Sequence, residues 1–277
     1  PATTEIYTLS LHDALPIFVY PSDAYTVVFS KNDGSGEVQK QTIFCNSEQT
    51  LTPNSFVRDG FWFVGWNTKA DGSGDVYLDS AKVLDIANVG ETLTLYAQWF
   101  DGDISILRND FVVQDGAVLT GTLAGNYKIS IAKDATVTLN NMTINGVDDL
   151  DFKWAGITCL GNCTILLADG SENNVKGFNN FYPGIQVPYV GTLVIKGNDG
   201  KLNASSNGNA AGIGGHVHYY VGSIVIEGGD ITAIGGWASA GIGSSNNGGC
   251  GNIQISGGVV HATGGEYAAG IGGGLVG

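Results

Sequence analysis

AGIGG (Ala211–Gly215), AGIGS (Ala240–Ser244) and AGIGG (Ala269–Gly273) are one phrase returning at intervals of 29 residues. Counting Gly-Ile pairs extends the series backwards, to 156–157 and 184–185, at intervals of 28 or 29 residues. The remainder of the period repeats too. GTLVIKGNDGKLNA (Gly191–Ala204), GSIVIEGGDITAIGG (Gly222–Gly236) and GNIQISGGVVHATGG (Gly251–Gly265) share a layout of short alternating strand, Gly turn, short alternating strand, Gly turn. NCTILLADG (Asn162–Gly170) and DATVTLNNMTING (Asp134–Gly146) are worn copies.

A unit of this length fits a leucine-rich repeat, a pair of helices or one coil of a β-solenoid. Interior glycines cost a helix about 1 kcal/mol each, and the β-branched alternation has the period of a strand. Fixed Leu offsets and an Asn column, which a leucine-rich repeat needs, are missing. One coil of three short strands remains, each strand pairing with its counterpart about 4.8 Å along the axis. Ile224, Ile226, Ile231, Ile253, Ile255 and Val259 are assigned to the interior. The glycine pairs at 228–229, 235–236, 257–258 and 264–265 are assigned to corners, where φ is positive at no cost to Gly. The preference of the AGIG strand for Gly is not explained by the sequence, a close-packed face being one reason for it.

The aligned phrases resemble right-handed parallel β-helix proteins of the pectate-lyase-like, polysaccharide-binding surface type. That resemblance implies a surface location, carbohydrate binding and sometimes calcium. The solenoid is expected over 101–277, truncated at its C-terminus, with Asp101–Asn126 shielding its first coil.

Upstream, the signals differ. YTVVF (Tyr25–Phe29), GFWFVGW (Gly60–Trp66), NTKADGSG (Asn67–Gly74) and LTLYAQW (Leu93–Trp99) combine aromatic, β-branched strands with a turn-rich loop. Together they resemble the internalin-type B repeat, or Listeria–Bacteroides repeat, at about 25–99. The resemblance implies a small β-grasp-like module of secreted and surface proteins that serves as spacer or adhesive unit, with Trp66 and Trp99 as core anchors. The fold class is therefore mainly β: this module, then a single-stranded parallel β-helix. Before it, TEIYTLSLHDALPI (Thr4–Ile17) resembles translated sequencing adapter, so 1–17 is expected to be a non-native tail.

Composition bounds the function. Twenty-six Asp and Glu against 12 Lys and Arg give a net charge of −14, which repels phosphate backbones and argues against nucleic acid. No 18-residue apolar run suits a membrane span. Cys45, Cys159, Cys163 and Cys250 lack the spacing of a zinc site and read as small buried hydrophobes.

No catalytic residues are assigned. A lyase of the pectate type needs grouped carboxylates for calcium and a basic residue near the sugar, yet no Arg follows Arg108. Glu227, Asp230 and Glu266 occupy different offsets in their coils. Binding suits the sequence better. Trp154, Tyr182, Trp237 and Tyr267 each precede a Gly-Ile pair by two to four residues, and HVHYY adds His218, Tyr219 and Tyr220 beside His216. FNNFY supplies Phe178 and Phe181. Such rings could form a strip along the solenoid, covering apolar sugar faces while amides take the hydroxyls. The competing reading folds each ring back over its own turn. Asp148, Asp149 and Asp151 form the densest carboxylate group and are the candidates for calcium, an ion that wants six to eight oxygens. The expected role is adhesion or polysaccharide binding at the cell surface or outside the cell, with a purely structural stalk and a calcium-dependent lyase-like enzyme as alternatives.

Overall fold

The computed structural model describes residues 23–275, so the adapter-like stretch 1–17 lies outside the described residues. The described residues divide into two compact units, one built from 23–58 and 63–98, the other from 59–62 and 99–275.

In the first unit, β1 (Ala24–Ser30), β2 (Val38–Phe44), β4 (Trp62–Asn67), β5 (Val76–Tyr77) and β7 (Thr92–Phe100) form one sheet in the order β2-β1-β7-β4-β5. The β1–β2 and β4–β5 pairs are antiparallel and β1–β7 is parallel. A two-stranded ribbon joins β3 (Gln49–Thr50) to β6 (Lys82–Val83). Trp66 is buried, with Phe29 and Phe63 both 4.8 Å away, whereas Trp99 is only half-buried. Asn67 explains the loop that follows it. Its carboxamide donates to the Gly72 and Gly74 carbonyls and accepts from the Lys69 and Gly74 N–H groups, at 2.8–3.1 Å. No α-helix occurs among the described residues of this unit, which narrows the β-grasp expectation to a small mixed sheet.

The second unit is a parallel β-solenoid with three strand stacks. Stack A contains β8 (Phe111–Val113), β10 (Ile129–Ile131), β12 (Ile157–Cys159), β15 (Ile185–Gln186), β18 (Ile213–Gly214), β21 (Ile242–Gly243) and β24 (Ile271–Gly272). Stack B contains β9 (Val118–Thr122), the first half of β11 (Ala135–Ile144), β13 (Cys163–Leu167), β16 (Thr192–Gly197), β19 (Ser223–Ile226) and β22 (Ile253–Ile255). Stack C continues from the second half of β11 through β14 (Glu172–Lys176), β17 (Lys201–Ser205), β20 (Asp230–Ile234) and β23 (Val259–Thr263).

All these pairs are parallel and, apart from a slip between β9 and β11, in register, so chemically alike residues stack. Ile129, Ile157, Ile185, Ile213, Ile242 and Ile271 form one row. Val137, Ile165, Ile195, Ile226 and Ile255 form another. Each buried aliphatic side chain contributes about 1.5–3 kcal/mol relative to exposure. Asp101–Asn126, expected as a shield, instead supplies β8 and β9, which pair with β10 and β11 as an earlier turn of the same solenoid. Cys159 and Cys163 are buried as expected but are joined by a disulfide between stacks A and B. Cys45 and Cys250 are free and half-buried.

The AGIG phrase now has a physical cause. A Cβ on Gly212 would lie 2.6 Å from the Ile234 nitrogen and 2.9 Å from the Ala204 oxygen. Stack A therefore presses against the backbone of stack C too closely for a methyl group. Gly214 has φ +140°, and its Cβ would lie 2.0 Å from the Gly243 oxygen of the next coil. The corner pairs divide between the same two causes: Gly229 and Gly258 have positive φ, whereas Gly228 and Gly236 face carbonyls of the preceding coil.

Candidate ring-lined site on the solenoid

Stack A is short because the chain arches sharply across it. The Ala211 N–H donates to the Gly215 oxygen (3.1 Å), Ala240 to Ser244 (3.0 Å) and Ala269 to Gly273 (3.2 Å). The loops entering and leaving stack A are thereby brought side by side, and the Asn246 N–H reaches Ser239 Oγ between them at 3.2 Å. Most rings picked out by the sequence stand on these two loop series.

They gather in four groups rather than one strip, with no ring contact from group to group among the described residues. Trp154 is half-buried against Phe152 at 5.3 Å and the buried Phe178 at 5.9 Å. It packs both on its own turn, through Phe152, and on the following coil, through Phe178. Tyr182 stacks on His216 (5.1 Å, 16° between planes), and His216 lies 3.7 Å from Tyr219. Burial pushes the His216 pKa down and the Tyr182 pKa up, so the imidazole is neutral at pH 7 and the stack is uncharged. His218 is exposed, with φ +66°, and its N–H donates to the Asn246 oxygen at 3.1 Å. Trp237 and Tyr267 form an exposed edge-to-face pair on adjacent coils at 5.2 Å, 54% and 48% accessible.

The fourth group pairs Tyr220 with a ring that sequence reasoning passed over. Tyr189 meets Tyr220 edge-to-face at 5.9 Å, and the two are 69% and 65% exposed. The missed signal was an alignment: YVGT (Tyr189–Thr192) and YVGS (Tyr220–Ser223) occupy the same place in successive periods, and Thr192 pairs with Ser223 in the sheet. Between and beside these rings runs a groove of about 520 Å³ lined by Asn162, Thr192, Ser223 and the glycines 191, 222 and 251.

The acidic loop is open to solvent. Asp148, Asp149 and Asp151 are exposed, and Asp149 Oδ1 accepts the Asp151 N–H at 2.9 Å in a local turn. Among the described residues no three His, Cys, Asp or Glu side chains converge as metal ligands.

Comparison with known proteins agrees with this architecture. Residues 25–98 match the Listeria–Bacteroides repeat domain, and residues 224–246 and 253–275 match the beta helix repeat. The chain thus carries a Listeria–Bacteroides repeat followed by β-helix repeats, both of them non-catalytic repeat domains. Two proteins of Evansella cellulosilytica are similar to parts of it. One, named as a Gly-rich membrane protein, is 43% identical over 79 residues, which is 27% of this chain and 9% of that protein. The other, named as a membrane protein, is 36% identical over 107 residues, 37% of this chain and 15% of that protein. The chain therefore spans less than a sixth of the length of either curated relative. No solved structure matches it. Among the described residues no helix is long and apolar enough to cross a membrane.

Proposed function

We propose that this chain is a non-catalytic, surface-displayed segment of a larger bacterial protein, and that its solenoid binds polysaccharide for adhesion. The observation that carries the reading is the exposure of ring pairs bridging adjacent coils, Trp237 with Tyr267 and Tyr189 with Tyr220. Rings that only protected the solenoid's turns would be covered, as Phe178 is. Solvent-facing rings flanked by hydroxyls and amides present what a sugar chain uses, an apolar platform with polar edges.

The surface location draws support from three sides. A Listeria–Bacteroides repeat lies beside the β-helix repeats. The similar proteins carry membrane-protein names. The Cys159–Cys163 disulfide suits an oxidising compartment, since such bonds are rare in the reducing cytosol. The coil is taken as right-handed, the hand that parallel strand connections adopt almost without exception.

Retention of the purified chain on immobilised plant, microbial and host polysaccharides tests the proposal. Specific retention of the chain, competed by the free polysaccharide, is expected. Passage through every matrix without delay would discard glycan binding and leave the solenoid as a spacer.

A further inference from the structure

We infer that the Tyr189–Tyr220 groove, on the corner leaving stack A, binds an uncharged glycan chain lying along the solenoid axis. The inference rests on the polysaccharide-binding reading above, and adds to it a site and a class of ligand.

Shape comes first. The groove does not end at two coils. Asn162 and Thr192 also line the depression on one side of it, with Asp134 and Thr164, and Cys250 and Gly251 line the one on the other side, with Asn252 and Ile271. Three depressions thus follow one another along the axis over successive coils. The coil spacing of about 4.8 Å is close to the advance of one hexose in an extended chain. A linear polymer can meet equivalent groups at each step, which a compact ligand cannot.

The lining supplies chemistry at that repeat. Thr192 and Ser223 are register partners, and their hydroxyls make no hydrogen bond among the described residues. Both can therefore donate to and accept from sugar hydroxyls. The floor between them is bare backbone. A Cβ on Gly222 would lie 2.0 Å from the Gly191 oxygen and 2.6 Å from the Pro188 oxygen, so the close approach of the preceding coil requires Gly here and no side chain of this residue enters the groove. Tyr220 extends toward the following coil: a Cβ on Gly249 would lie 2.4 Å from its Cε1. The ring is seated over Gly249 and stands as a wall of the groove beside Tyr189.

Charge selects the class. The groove lining contains no Lys, Arg, Asp or Glu. Lys133 lies over Gly161 at one end beside Asp134, one charge of each sign. With a net charge of −14 on the whole chain, a polyuronate or a phosphate-bearing polymer meets repulsion and no cationic clamp. An uncharged chain needs neither.

The test is calorimetric titration of the intact chain with soluble cello-, xylo- and manno-oligosaccharides and with polygalacturonate. Four proteins are compared: the unmodified chain, Tyr189→Ala/Tyr220→Ala, Trp237→Ala/Tyr267→Ala, and Gly249→Ala, which displaces the Tyr220 ring without removing it. At least one neutral series is expected to bind, about tenfold or more weaker in the tyrosine pair and in Gly249→Ala. The loss in the tyrosine pair is expected to exceed any loss in Trp237→Ala/Tyr267→Ala, with unchanged thermal melting in all four. Polygalacturonate is expected to bind about tenfold more weakly than the best neutral chain. Glycan binding lost only in Trp237→Ala/Tyr267→Ala would overturn the groove while leaving the broader function standing. Preference for polygalacturonate would overturn the ligand class. Absence of binding to every glycan here and on the matrices above would remove the function and the groove together.

Discussion

At the scale of single residues, the glycines of this chain have two different jobs that composition alone merges. Gly170 has φ +67° and open space where a Cβ would go, so only its backbone conformation needs Gly. Gly241 has no positive φ, yet a Cβ there would sit 2.7 Å from the Ala233 oxygen and 2.8 Å from the Thr263 nitrogen. Those contacts are backbone and do not yield. Gly170→Ala is expected to cost about 1–2 kcal/mol through left-handed strain. Gly241→Ala should cost about 3 kcal/mol, at the upper end for overpacking. Urea unfolding of the two variants checks the order, and equal costs would contradict the close packing of stacks A and C. The periodic phrase made the repeat legible. It did not reveal why Gly fills it, because the clash is with another coil and another stack.

At the scale of elements, β11 is the exception that keeps the stacks continuous. It runs round the corner from stack B to stack C without a break, and its register with β9 slips between Leu139 and Met142. Asn173 repairs the ladder there. This side chain is fully buried in a row with Leu202, Ile231 and Val260, a place that reads as aliphatic. Its Oδ1 accepts the Met142 N–H at 3.1 Å, and its Nδ2 donates to the Lys201 oxygen at 3.0 Å and to Ser171 Oγ at 2.9 Å. Asn173→Leu would match the row and still leave the buried Met142 N–H without a partner. The expected result is destabilisation by about 1–3 kcal/mol in denaturant titration; a more stable variant would show that the apolar row outweighs the hydrogen bonds. The alternation of strands was readable around this point, whereas Asn173 and the Cys159–Cys163 disulfide were not. Both depend on where a corner brings two segments, and the local pattern holds no trace of that. Tyr189 was hidden for a different reason: attention to Gly-Ile pairs fixed one corner of each coil and left the opposite corner unaligned.

At the scale of the molecule, burial in the solenoid is a consequence of stacking. Ile195, Ile226 and Ile255 hold the same register position. The first two are fully buried, while Ile255, in the outermost described coil, is 42% exposed. A coil on its own cannot cover its aliphatic row, and its neighbour does so. The same stacking converts a sequence interval of 28–31 residues into a short spatial step, and so sets tyrosines and hydroxyls from different coils side by side. The binding groove exists only if that conversion holds. Electron–electron distance measurement tests it most directly, with spin labels at Thr136→Cys and Gln254→Cys in a Cys45→Ser/Cys250→Ser background. These positions belong to one outward row through Thr164, Val194 and Val225. Four coil steps of about 4.8 Å put the labels near 20 Å apart in one narrow distribution. A broad distribution, or a mean beyond about 35 Å, where the label tethers no longer bridge the difference from those same four steps, would contradict the stacked solenoid and everything placed on its surface.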